Sequence, residues 1–335
     1  MTIFFAATGD DVVRIESGDG GRWQTTAVLP GVGAQCLALD PHDPGRLYAG
    51  TFDQGIFRSR DGGQTWDEVG AGIPHRRVLS VAISPSDRPN GLGVVFAGTE
   101  PSSLYRSADD GGTWQDLPTL REIPSAPTWS FPPRPWTAHV RWIALSWADP
   151  QRIFAGIELG GVMRSTDGGR TWEDRKPGSQ PDSHAILTHP TATERVYEAA
   201  GGGVAESPDD GTSWSPVDEG MDRHYTWGLA VDAADPDLWY VSATHSARYA
   251  HDRRGSAEAF IYRRRGREPW QALGGGLPQP LPTMPYALLA PIDRPGELYS
   301  GMQDGQLWHS ADRGDTWRRL DVALPGLLAL ACAAA

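Results

Sequence analysis

Apolar residues fall in short runs of strand length, separated by turn residues. Residues 34–39 are largely apolar and end at Asp40 and Pro41. Residues 46–51 carry Leu47, Tyr48 and Ala49, residues 55–59 carry Ile56 and Phe57, and residues 66–69 open on Trp66 and close on Val69. Each run is bounded by Gly, Pro, Asp or Ser, and none is long enough for an amphipathic helix. Four such runs with short connections predict one four-stranded antiparallel sheet. Residues 78–117 repeat the grammar, and five further stretches repeat it with insertions.

A fixed string sits between the third and fourth run of each unit. Ser-x-Asp-x-Gly-x-Thr-Trp occurs at residues 59–66, 107–114, 165–172 and 310–317, and at 207–214 with Ser213 in place of Thr. A shortened copy runs through Ser17, Asp19, Gly21 and Trp23. A worn copy ends at Trp270, with Arg265 and Pro269 replacing the Asp and the Thr. Asp and Ser side chains can satisfy the backbone N–H groups of a turn, Gly supplies positive φ, and Trp anchors the next strand. These seven copies use half of the 14 tryptophans. Their tryptophans are expected to be buried, with Trp66, Trp114, Trp172 and Trp317 between neighbouring sheets.

Seven units of about this length predict an all-β fold, a seven-bladed β-propeller of four-stranded antiparallel blades with almost no helix. One domain covers residues 1–335. The chain starts in a second strand, so the first blade lacks its innermost one. Residues 326–332 (Gly-Leu-Leu-Ala-Leu-Ala-Cys) resemble residues 33–39 (Gly-Ala-Gln-Cys-Leu-Ala-Leu) and are expected to supply it. That closes the ring and removes an open edge.

The strings and their spacing resemble the Asp-box (BNR) repeat propellers of the sialidase-like/VPS10-like superfamily. That superfamily includes bacterial sialidases, xyloglucanases, sortilin-type receptor domains and a photosystem II assembly factor. The resemblance covers nearly the whole chain and implies a glycosyl hydrolase-like scaffold. In the enzymes that carry them, the boxes lie away from the active site. A sialidase also needs an arginine triad, a Tyr–Glu pair and a Phe/Tyr-Arg-Ile-Pro motif. The stretch Val13-Arg14-Ile15-Glu16 lacks the proline, so sialidase activity is not the expectation. Xyloglucanases use a cleft between two propellers, and one is present here.

Composition narrows the partners. Lys plus Arg number 30 against 42 Asp plus Glu, a net charge of −12, which argues against binding nucleic acid through its phosphates. Two cysteines are too few for a disulfide framework. No secretory signal and no membrane-spanning run of roughly 20 apolar residues is visible. A cytoplasmic monomer that binds neither membrane nor nucleic acid is expected.

The candidate site follows from the insertions. Trp114 and Trp172 are 58 residues apart and Trp214 and Trp270 are 56 apart, whereas Trp172 and Trp214 are 42 apart. The excess lies at residues 117–140, before an innermost strand, and at residues 243–260, between a second and a third. Both loops emerge on the face opposite the boxes, where propeller ligands bind near the axis. Glu100, Glu158 and Asp182 map there as catalytic candidates. Arg77 and Arg141 are candidates for an anionic substrate group, with Trp129, Phe131, Trp136, Tyr225 and Trp227 as the wall. Six of the nine histidines reach that face. His139, His184 and His245 are the candidate ligands of a divalent transition metal (Zn, Fe, Mn or Cu), because several imidazoles beside carboxylates suit such ions. The leading expectation is a His-ligated, metal-dependent enzyme for a small-molecule or glycan ligand. The alternatives are a non-catalytic ligand- or protein-binding propeller such as an assembly factor, and a glycoside-active enzyme using Glu100 and Glu158. No phosphate-binding loop or nucleophile elbow is present.

Overall fold

A computed structural model describes residues 2–18, 22–134, 137–252 and 254–333. Seven antiparallel sheets are arranged as blades around one axis. Blade 1 joins the two ends of the chain. Ala329–Ala333 is its innermost strand and pairs with Ile3–Ala7, in register from Ile3 opposite Ala333 to Ala7 opposite Ala329. The expected latch is therefore present. The innermost strands of blades 2 to 7 are Ala34–Asp40, Arg77–Ile83, Val140–Leu145, Ser183–Thr188, Tyr225–Asp232 and Pro285–Leu289. Blade 4 departs slightly from the pattern. Its sheet has three strands, and a single bridge from Arg164 to Glu173 stands where the fourth would be. One short helix, Ala247–Ala250, lies in the second long loop. Among the described residues no helix is long and apolar enough to cross a membrane.

The box works as its chemistry suggests. In residues 59–66, Ser59 Oγ donates to Asp61 Oδ1 at 2.8 Å and accepts the Gly63 N–H at 2.9 Å. Asp61 accepts the Thr65 N–H at 2.9 Å and the Thr65 hydroxyl at 2.6 Å. The other full copies repeat these bonds. The hydroxyl and amide of Thr65 lead in holding the Asp61 carboxyl down at about 2, so the turn stays charged and hydrogen-bonded at any ordinary pH. The glycine at the fifth position of the box seats it on the preceding blade. A Cβ on Gly63 would lie 2.6 Å from the Phe5 ring, and one on Gly211 would lie 2.5 Å from the Phe154 ring.

The tryptophans divide into two groups. Trp172, Trp214, Trp270 and Trp317 are buried, whereas Trp23, Trp66 and Trp114 are half-buried. The expected burial of those last three is corrected. The blade 2 and blade 3 boxes sit beside a buried ionic network instead. Arg46, 2% exposed, bonds Asp40 at 2.8 Å and Asp110 at 2.6 Å, and Asp110 also takes the Tyr48 hydroxyl at 2.5 Å.

One local feature recurs and positions the site. In blades 2 to 7 the innermost strand carries a bulge near its start. The extra residues are Gln35, Leu79, Arg141, His184, Trp227 with Gly228, and Tyr286. A bulge re-aims the side chain it carries, and each of these residues lines the cavity on the axis.

Candidate functional site at the axial mouth

Two glutamates follow the second strands of adjacent blades, as their matching sequence positions require. Glu100 ends blade 3's strand Val95–Glu100, and Glu158 follows blade 4's strand Ile153–Ile157. Both are buried. His139 lies between them. Its Nε2 donates to Glu158 Oε2 at 2.9 Å, and its Nδ1 faces Glu100 Oε2 at 3.4 Å. The Phe131 ring packs edge-on to it at 4.8 Å.

Glu100 is heavily neutralised. Arg77 bonds one oxygen, and Arg134 straddles both through Nε and Nη2 at 2.9 to 3.1 Å. Burial works to raise its pKa, but these arginines outweigh it and hold Glu100 below the usual carboxylate range. Glu158 goes the same way. Burial is again the largest influence, and the His139 hydrogen bond with the Arg141 charge beside it overcomes it, holding Glu158 below the usual carboxylate range.

His184 is positioned differently. Its Nδ1 lies 2.6 Å from the Thr226 carbonyl oxygen of blade 6 and must donate to it. The ring is 1% exposed and packs against Trp227 at 4.5 Å and Tyr225 at 5.0 Å. Among the described residues Nε2 makes no hydrogen bond, and it stands 3.4 Å from Asp182 Oδ2. The other oxygen of Asp182 accepts the Leu159 N–H at 3.0 Å. One ligand atom each from Glu158, Asp182 and His184 lies within 4.8 Å of the others, which is a candidate metal-ligand set.

The remaining candidates are placed as follows. Arg141 stacks over Trp227 at 4.8 Å and reaches Glu158 at 3.7 Å. Tyr225 is buried, and its hydroxyl meets His251 Nε2 at 3.3 Å. Trp129 is packed in the apolar cluster between blades 3 and 4, with Leu117 and Trp172. His245 is 41% exposed, pairs with Glu258 at 3.3 Å, and is outside the converging set among the described residues. Trp136 lies outside the described residues.

Two groups escaped sequence reasoning, and a third was counted on this face without its role. Arg134 was hidden among prolines. His251 was one histidine of several, yet it is held between Tyr225 and Tyr286, with its Nδ1 2.7 Å from the Tyr286 hydroxyl, and burial lowers its pKa. Tyr286 occupies the bulge position that His184 and Trp227 occupy in blades 5 and 6. Aligning those strands is the signal that could have found it.

No known protein family and no curated protein matches the chain. Solved structures do. The GH74 xyloglucanase from Xanthomonas campestris superposes with a TM-score of 0.68 at 17% identity, over 98% of this chain and 52% of its own. An ancestral GH74 enzyme gives 0.67 at 16%, over 95% of this chain and 40% of its own. YCF48 bound to D1 peptide gives 0.56 at 18%, over 86% and 82%. The chain thus spans about half the length of these GH74 enzymes. At such identities the likeness establishes the architecture: a seven-bladed propeller resembling GH74 xyloglucanase and YCF48.

Proposed function

We propose that the protein is a divalent-metal-dependent enzyme acting on a small anionic molecule at the axial mouth. The observation that carries this reading is His184. A buried imidazole whose Nδ1 is committed to a carbonyl has its Nε2 lone pair fixed in direction. That lone pair is aimed at two carboxylates and is otherwise unused among the described residues. Leaving it unmet in a buried site costs about 1–3 kcal/mol, which a metal ion would recover. A ligand set of two carboxylates and one imidazole suits Mn, Fe or Zn. Such an ion supplies a Lewis acid or an activated water. His139 orients Glu158, the Leu159 amide orients Asp182, and Arg141 beside them offers a fixed cation to an anionic substrate group.

The glycosidase alternative finds less support in the same side chains. It needs one carboxyl that stays protonated near neutral pH, and both Glu100 and Glu158 are held ionised by cationic partners.

The test is a titration of chelator-treated protein with Mn²⁺ and Zn²⁺ by calorimetry, for the native chain and for His184→Ala. One tight site in the native chain, lost in the variant at unchanged melting temperature, supports the reading. Equal affinity in both would overturn it.

A further inference from the structure

The mouth opens into a cavity of about 420 Å³ that runs along the propeller axis, bounded by the innermost strands of all seven blades. The volume is within the range of small-molecule pockets, about 300–1,000 Å³. Its wall changes character along the axis. At the mouth stand Gln35, Arg141, His184, Trp227 and Tyr286. Beyond them the blades contribute aliphatic side chains, among them Leu37, Val81, Ile143, Ile186, Leu229 and Leu330. The few polar side chains at that depth are already engaged. The Ser80 hydroxyl donates to the Val140 carbonyl and the Thr188 hydroxyl to the Leu145 carbonyl, each at 2.7 Å, and the Cys36 thiol lies 3.8 Å from the Val78 carbonyl. The wall therefore has side chains to contact a hydrocarbon and few free to bind a sugar or a peptide backbone.

The mouth supplies the complementary end. Arg141 lines both the cavity and the carboxylate cluster, and its guanidinium forms no hydrogen bond among the described residues. His184 is shared in the same way, since its ring faces the cavity while Nε2 faces Glu158 and Asp182. We propose that the site takes an unbranched aliphatic carboxylate. Its carboxylate meets Arg141 at the mouth, and its tail lies along the axis between the seven innermost strands. This deepens the metal-site reading, which places an ion next to the same carboxylate, but the tail's place rests on the cavity wall alone.

The experiment is calorimetric binding of hexanoate, octanoate, decanoate and decanol, with and without added Mn²⁺. Mn²⁺ binding itself is read in a separate titration, so a failed metal site and a failed ligand class give different results. Affinity should rise about fourfold for each added methylene between hexanoate and decanoate. Arg141→Gln should weaken decanoate about tenfold and leave decanol unchanged. Val81→Trp, which narrows the cavity from a half-buried position, should flatten the chain-length series. The native chain alone decides the matter if that variant misfolds. Equal affinity for hexanoate and decanoate, or decanol binding as tightly as decanoate, would overturn the proposal.

Discussion

The Nδ1 of His184 lies 2.6 Å from the carbonyl oxygen of Thr226, across the boundary between blades 5 and 6. That bond fixes which nitrogen carries the proton and turns the other toward Asp182 and Glu158. Thr226 itself is held by its hydroxyl, which accepts the Ala200 N–H at 2.7 Å and has the Ala200 and Gly203 carbonyls at 2.8 and 3.0 Å to share its one proton. The direction of His184 Nε2 is thus set by backbone geometry at the meeting of two blades.

Asp182 is packed just as closely against blade 5. A Cβ on Gly201 would lie 2.0 Å from Asp182 Oδ2. Gly201→Ala should therefore push that carboxylate aside and weaken Mn²⁺ binding by about tenfold or more. Calorimetry with a parallel melting curve checks this, and the fold should survive.

Trp172 and Trp66 occupy equivalent box positions with different burial. Trp172→Ala should cost about 3–5 kcal/mol in urea unfolding, as for other large core deletions. Trp66→Ala, from a half-buried site, should cost clearly less.

The buried network around Arg46 gives a third expectation. Burial works to raise the pKa of Asp110, but hydrogen bonds from Tyr48, Arg46 and Arg60 overcome it, and Asp40 is likewise lowered beside Arg88 and Arg46. Both carboxyls are depressed in the folded state, so their stabilisation is present above the ordinary Asp value near 3.9 and is lost as pH falls below it. Asp110→Ala removes one partner from a buried guanidinium and should cost roughly 3–5 kcal/mol at neutral pH. The difference from the native chain should shrink in unfolding measurements below about pH 3.5.

Glu198 behaves in the opposite sense. It is fully buried on blade 5, where its Oε2 accepts the Gln180 N–H at 2.9 Å, and burial pushes its carboxyl up to about 8. A raised carboxyl contributes stability that is intact below its unfolded pKa and is lost as pH rises through about 8. Glu198→Gln keeps an acceptor for that N–H and cannot ionise. It should match the native chain near pH 4, gain on it as pH rises from there, and exceed it at pH 9 by several kcal/mol.

The architecture was legible because one unit is written seven times. Any single strand could be misread, but a Ser-x-Asp-x-Gly-x-Thr-Trp turn recurring between the third and fourth run of unit after unit points to a ring of like blades, and the match of residues 326–332 to 33–39 placed the closing strand. The face on which Glu158, Asp182 and His184 converge was legible from loop length. Its wiring was not, for identifiable reasons. A bulge shifts the alternation by only one residue, which a short apolar run conceals, so Tyr286 was not singled out. Loop conformation decided that His139 would serve Glu158 and that His245 would pair with Glu258. Trp129 sits in a proline-rich loop that looked like a pocket wall, yet its ring fills the gap between two blades.

An anomalous difference map from crystals soaked in Zn²⁺ would show whether an ion sits between His184 and the two carboxylates. One strong peak is expected about 2.0–2.2 Å from His184 Nε2 and from an oxygen of each of Glu158 and Asp182. A map with no peak there, or with its only peak beside His245 and Glu258, would contradict the metal-site reading.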